Sequence, residues 1–152
     1  MRATDLIAQD HRTVHDLFLE FEALAATDGQ ARRDLVDRIA DELEVHAQME
    51  EEIFYPAVRE VSRRIDDAEA GHQHLRSVIG EAQGREPASE EFTAGVRRIK
   101  QVVLAHVAEE EQGIFLDAER LGADALEQLG ARMEERKQEL GRAVDRAARK
   151  VA

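Results

Sequence analysis

The chain has 152 residues, 43% hydrophobic and 36% charged, enough to bury one core and too apolar for a disordered segment. With 33 acidic against 21 basic residues the formal net charge is -12, a field that repels phosphate backbones and anionic membranes and argues against a nucleic-acid partner. Cysteine is absent, so disulfides, iron–sulfur clusters, thiolate haem and cysteine zinc sites are excluded, and any metal must be held by His, Asp, Glu or Tyr. No apolar run opens the N-terminus and none could span a bilayer, so a cytoplasmic location is expected.

Sparse glycine and proline, with apolar residues at three-and-four spacing, predict an all-helical chain. The first helix is expected from Thr4 as N-cap, with Ile7, Val14, Phe18 and Phe21 on one face, ending near Thr27-Asp28-Gly29. The second starts at about Ala31 and keeps Leu35, Ile39, Leu43, Ile53 and Ala57 in register, and Pro56 should kink or end it. The third starts near Asp66 and turns Ala68, Leu75, Ile79 and Ala82 inward. Gly84 to Ser89 is the clearest loop. The fourth carries Phe92, Val96, Ile99 and Val103, then Ile114 and Phe115. Short connections predict an up-and-down antiparallel four-helix bundle over residues 1–120. Residues 121–152 add a C-terminal amphipathic helix, capped by Asp124 with Glu127 and striped by Leu126, Leu129, Met133, Leu140 and Val144. That stripe packs on the bundle or on a partner subunit, which leaves monomer and homodimer both open.

All six histidines fall on predicted helices: His11 and His15, His46, His72 and His74, and His106. His46-Ala-Gln-Met-Glu50 and His106-Val-Ala-Glu-Glu110 share the pattern His-x-x-x-Glu, which puts two side chains on one face a turn apart. At about 100° per residue both pairs fall inside the apolar stripes of their helices. A carboxylate aimed at a core costs several kcal/mol unless paired or coordinated, and two facing one another repel. Metal ions between them resolve the conflict, and an imidazole–carboxylate donor set suits iron, manganese or zinc. Taken alone, a core histidine is usually a hydrogen-bonded structural residue and a glutamate run a solvated face. The coincidence of four inward-capable histidines and two inward glutamates favours the metal. Rotation brings His11 nearer its seam than His15, and His72 rather than His74. It puts Glu111 at a stripe edge and Glu51 off the seam, so that Glu51→Gln should leave metal content unchanged while Glu50→Gln lowers it. In an ideal helix Tyr55 points away from the seam, where surface packing is the more frequent outcome; a role behind the ligands is the alternative.

Asp10-His11-Arg12-Thr13-Val14, His46-x-x-x-Glu50-Glu51-x-Ile-Phe-Tyr-Pro56, Gly71-His72 and His106-x-x-x-Glu110-Glu111-x-x-Ile-Phe together resemble the hemerythrin-like, or HHE cation-binding, domain family, over residues 4 to about 118. The resemblance implies a four-helix bundle with a non-haem, carboxylate-bridged pair of iron ions, with or without an oxo or hydroxo bridge. By position it implies the ligands His11, His46, Glu50, His72, His106 and Glu110, the two glutamates bridging. Two positions depart from the oxygen-carrying members. Arg76 stands where their third helix has a second histidine, and Glu111 where their fourth has an aspartate. The missing histidine leaves an open coordination position unless His15 or His74 fills it. Three functions follow as expectations: a binder or sensor of O2, peroxide or NO; a catalase-like or NO-related di-iron redox enzyme; and a metal-free structural bundle.

Overall fold

A computed structural model describes residues 1–151, with side chains to Lys150; Ala152, at the end of the predicted fifth helix, lies outside the described residues. Seven α-helical segments follow in order: α1 (Ala3–Ala23), α2 (Gly29–Met49), α3 (Tyr55–Val58), α4 (Ile65–Gln83), α5 (Glu90–Glu109), α6 (Phe115–Ala118) and α7 (Ala123–Val151). No strand occurs among the described residues, and no helix there is long and apolar enough to cross a membrane. The fold is the all-α, up-and-down bundle that the periodicity predicts. Four long rods, α1, α2–α3, α4 and α5–α6, form the bundle, and α7 lies back against α1 and α2.

Two helix starts are capped by a side chain, and at two others the residue expected to cap does not. Asp28 caps α2 by accepting from the Ala31 N–H, and Ser89 caps α5 by accepting from the Phe92 N–H. Thr4 is not a cap: α1 already starts at Ala3, and Thr4 is buried inside its first turn. Asp124 is not a cap either, because Gly122, at φ 90°, turns the chain two residues earlier and leaves Asp124 inside α7.

Pro56 does not end its helix. Between α2 and α3 the residues Glu50–Phe54 form a widened turn in which the Tyr55 N–H donates to the Glu50 carbonyl, five residues back. Glu110–Ile114 repeats this between α5 and α6, with the Phe115 N–H donating to the Glu110 carbonyl. Such a turn inserts one residue into the α-helical count, and single π-turns of this kind concentrate at functional sites. Neither turn contains a proline; what the two share is a pair of glutamates at the first two positions. Downstream the buried face moves by one residue. Phe54, Tyr55 and Val58 are buried where an ideal helix would bury Ile53 and Ala57, which are only partly covered.

Two apolar clusters result. One, at the end of the bundle that α7 covers, contains Ile7, Met49, Phe54, Ile65, Ala68, Ile114, Leu126 and Met133. The other, at the opposite end, contains Val14, Phe18, Val36, Ile39, Leu75, Phe92, Ile99 and Val103. A polar layer separates them.

The contact of α7 with the N-terminus depends on Gly130, where an added Cβ would meet the Met1 carbonyl oxygen at 2.0 Å and the Ala3 nitrogen at 3.0 Å. Gly130→Ala should therefore prise the start of α1 from α7 and lower the melting temperature. Gly141→Ala, whose Cβ meets nothing within 4 Å, should raise it by roughly 2–4 °C, since alanine is about 1 kcal/mol better than glycine in a helix interior. Thermal melts of the two variants check this; shifts of equal sign would contradict the packing.

Candidate metal centre

The polar layer is built by one histidine on each rod at the junction of the two clusters. His11 lies between Ile7 and Val14, His46 between Leu43 and Met49, His72 between Ala68 and Leu75, and His106 just after Val103. Helical spacing of three or four residues makes each of them continue its core stripe. Glu50 and Glu110, a turn beyond His46 and His106, are fully buried.

Their donor atoms fall into two groups. Glu50, His72, His106 and Glu110 offer one ligand atom each within 4.8 Å of one another, and so do His11, His46 and Glu110. Glu110 belongs to both. Glu50 Oε1 touches both as well, 3.0 Å from His46 Nε2 and 3.3 Å from His72 Nε2. His11 Nε2 lies 3.0 Å from Glu110 Oε1. Nε2 of His11 and of His46, both oxygens of Glu50 and Oε1 of Glu110 are buried without a hydrogen-bond partner despite these short separations. Lone pairs that approach at 3 Å without hydrogen-bond geometry are aimed at a common point between them, as ligands of a cation would be. The donor set fits a metal.

Tyr55 is at the centre of this layer and not on the surface. It is fully buried, its O–H donates to Glu110 Oε2 at 2.5 Å, and the hydroxyl oxygen lies 3.3 Å from His72 Nε2 and 3.4 Å from His106 Nε2. The widened turn at Glu50 rotates it inward, which an ideal-helix reading cannot foresee. Burial first, then the charges of Glu50 and Glu110, push its phenol far above the ordinary tyrosine range, so without a cation it is a neutral donor.

Behind the candidate donors stand groups for which no such role was expected. His46 Nδ1–H donates to Asp10 Oδ2 at 2.9 Å, and Lys137 of α7 donates to Oδ1 of the same carboxylate. His72 Nδ1–H donates to Glu51 Oε2 at 2.6 Å, and Arg76 donates to Glu51 Oε1 at 3.0 Å. A proton held on Nδ1 leaves Nε2 free as a donor atom and fixes the ring's orientation. Glu51 is thus not off the site, and the neutral effect expected of Glu51→Gln is replaced by the opposite expectation. Asp10 was legible, being three residues after Ile7 and four before Val14 on the buried face. Glu51 was not, since it lies inside the widened turn.

The other candidates separate cleanly. His15 and His74 are exposed, His15 lining a surface pocket beside His11. Glu111 is largely exposed and reaches only the outer nitrogen of His11, at 3.4 Å. The Cβ of any residue but glycine at position 71 would come within 3.3 Å of His106 Nδ1, so Gly71 makes room for that ring.

Burial works to lower the pKa of His46, but the nearby charge of Glu50 and the hydrogen bond that Asp10 accepts from its ring outweigh it and raise it well above the usual range. His106 is raised in the same way, against burial, by Glu110. Burial pushes Glu110 up, while its contacts with the imidazoles of His106 and His11 reverse this and hold it well below the usual range. Without metal, then, protonated imidazoles neutralise the carboxylates.

Residues 2–118 match the hemerythrin HHE cation binding domain, and the chain belongs to that family. Its fold is similar to that of a hemerythrin HHE cation binding domain-containing protein from Mycobacterium kansasii, with a TM-score of 0.86 and 22% identity over 95% of this chain and 90% of that one. A DNA nickase from Nostoc sp. is 30% identical over 117 residues, which are 76% of this chain and 33% of that protein. The chain thus spans about a third of the nickase's length.

Two outcomes follow for the site. His46 and His106 have raised folded-state pKa values, so their contribution to apoprotein stability is complete below about pH 6.5 and is lost as pH rises through the raised values. The contribution of Glu110 is present above about pH 4.5 and is lost as pH falls through its lowered value. The apoprotein should be most stable between these limits, and metal should displace the imidazole protons, releasing ~2 protons per chain near neutral pH. Calorimetric titration in buffers of different ionisation enthalpy measures that release; no buffer dependence would refute it. Separately, Glu51→Ala should weaken metal binding by roughly 10-fold or more through loss of the His72 contact, read by chelator competition.

Proposed function

We propose that this chain binds two iron ions in the polar layer and that the pair reacts with a small oxidant: O2, peroxide or NO. The observation that carries this reading is the double membership of Glu110 and the double contact of Glu50. Two carboxylates that each border two separate histidine groups are the arrangement a bridged pair of cations requires, whereas one cation would leave one group of donors unused. His11 and His46 would hold one ion, His72 and His106 the other. Glu50 and Glu110 would lie between them and offset their charge. Such a pair, when bound, supplies redox chemistry at open coordination positions.

The chain's own residues define what could reach it. A cavity of about 200 Å³ lies between α1 and α5, lined by Ala8, Phe18, Val103, Leu104 and Val107 beside His11 and His15. Arg12, Lys100 and Glu111 also stand on its wall, and its small size and mostly apolar lining suit a small molecule better than an extended substrate. Tyr55 holds a proton at its hydroxyl, 2.5 Å from Glu110 Oε2, on the side of His72 and His106 where Arg76 has taken the place of a further histidine. A proton donor in that position favours conversion of the oxidant over its reversible carriage.

Metal analysis and the visible spectrum of the purified chain test the reading. Two irons per chain with oxygen-to-iron charge-transfer bands are expected, and added peroxide should be consumed. Glu50→Gln, which keeps the volume but removes one bridging charge, should lower iron to about one per chain or less, while the apoprotein keeps or gains stability because a buried charge is gone. A single tightly held ion in the unaltered chain, or an unchanged iron content in Glu50→Gln, would overturn it.

A further inference from the structure

The C-terminal helix α7 reaches the metal layer through a single side chain. Lys137 Nζ donates to Oδ1 of Asp10, and Oδ2 of Asp10 accepts the Nδ1–H of His46 at 2.9 Å. The Asp10 side chain is 6% exposed and that of Lys137 33% exposed, so the ion pair is closed off at the carboxylate and open only at the ammonium. We infer that Lys137 is a positioning residue for the metal centre: by fixing the second oxygen of Asp10, it locks the orientation and tautomer of His46.

The physical case starts from what Asp10 would do without it. A carboxylate buried among α1, α2 and α7 with one oxygen unpaired carries a desolvation cost and has a reason to rotate or move toward solvent. Either movement bends or breaks the single hydrogen bond that holds the His46 ring. An exposed lysine–carboxylate pair contributes little, but this one is anchored on a buried acid whose other oxygen is already committed to a ligand. The same three-part design recurs on the opposite side of the layer, where Arg76 donates to one oxygen of Glu51 at 3.0 Å and the other accepts His72 Nδ1–H at 2.6 Å. One cation–carboxylate–imidazole chain therefore serves each of the two donor groups. The difference is that the cation behind His46 comes from outside the four bundle rods.

A purely structural account would make Lys137 a staple between α7 and α1. The neighbouring Arg136 separates the two accounts, since it pairs with Glu52 at 2.7 Å and has no connection to a ligand. This inference rests on metal binding at His46, and the test uses cobalt(II) as the probe on the full chain. Lys137→Met should weaken cobalt binding at one of two sites by about 10-fold, the lower end for loss of a group behind a ligand. It should also shift or broaden a solvent-exchangeable, paramagnetically shifted ring N–H proton signal. Lys137→Arg should restore both, and Arg136→Met should change neither. Equal cobalt affinity and an unmoved N–H signal in Lys137→Met would overturn the inference, as would equal losses in Lys137→Met and Arg136→Met, which would mark a general effect of the helix. Failure of the unaltered chain to bind cobalt at all would instead overturn the metal reading on which this one stands.

Discussion

Two glutamate side chains, Glu50 and Glu110, are completely buried at the centre of the bundle, and the surrounding architecture answers to the cost of that burial. Each ionised carboxylate loses several kcal/mol of hydration there, and the two repel one another across a medium that screens poorly. Four imidazoles are gathered around them, one from each rod, and they serve in either state of the site. His46 and His106, held protonated by their carboxylate neighbours, offset that charge, and as neutral donors the four would share it with a cation. The apolar clusters on either side keep water from relieving the field.

The widened turns belong to the same solution. Both begin at one of these glutamates, and both pass the extra residue into the helix just where the chain leaves the polar layer and enters the apolar cluster that α7 covers. The inserted residue changes which side chains meet. Tyr55 enters the layer and donates to Glu110, and Phe54 and Ile114 close the apolar floor beneath it. An ideal helix would have spent those positions on Ile53 and Ala57 and left Glu110 without its phenol neighbour. Local irregularity of the backbone is therefore part of the site and not a defect of the helix.

Outside the candidate donors, order is imposed by pairs of opposite charge. Asp10 and Glu51 each take a ring N–H on one oxygen and a cation on the other. This explains two features of the chain that the four helices alone do not. Arg76, one turn after His72, is tied to the site through Glu51. The helix α7, beyond the four rods, covers the apolar end of the bundle with Leu126, Leu129 and Met133 and also sends Lys137 to Asp10.

Much of this was legible in the order of residues. Helical periodicity gave the four rods and the apolar faces, because side chains three and four apart share a helix face whatever the tertiary context, whereas neither expected cap, Thr4 or Asp124, caps its helix. The same rule turned His11, His46, Glu50, His72, His106 and Glu110 toward one another and left His74 outside. What rotation could not give is everything that follows a break in the rotation. Tyr55 and Glu51 took their places only because the turn at Glu50 is one residue too wide, a change stabilised by contacts with other helices. Lys137 is 127 residues from Asp10, and no spacing rule connects them. The sequence alone determined the helices and the inward set of ligand types, since both depend on local geometry. Only the tertiary structure decided which carboxylate and which cation stand behind each histidine, because those pairings join residues that are distant in the chain and meet only when the rods pack.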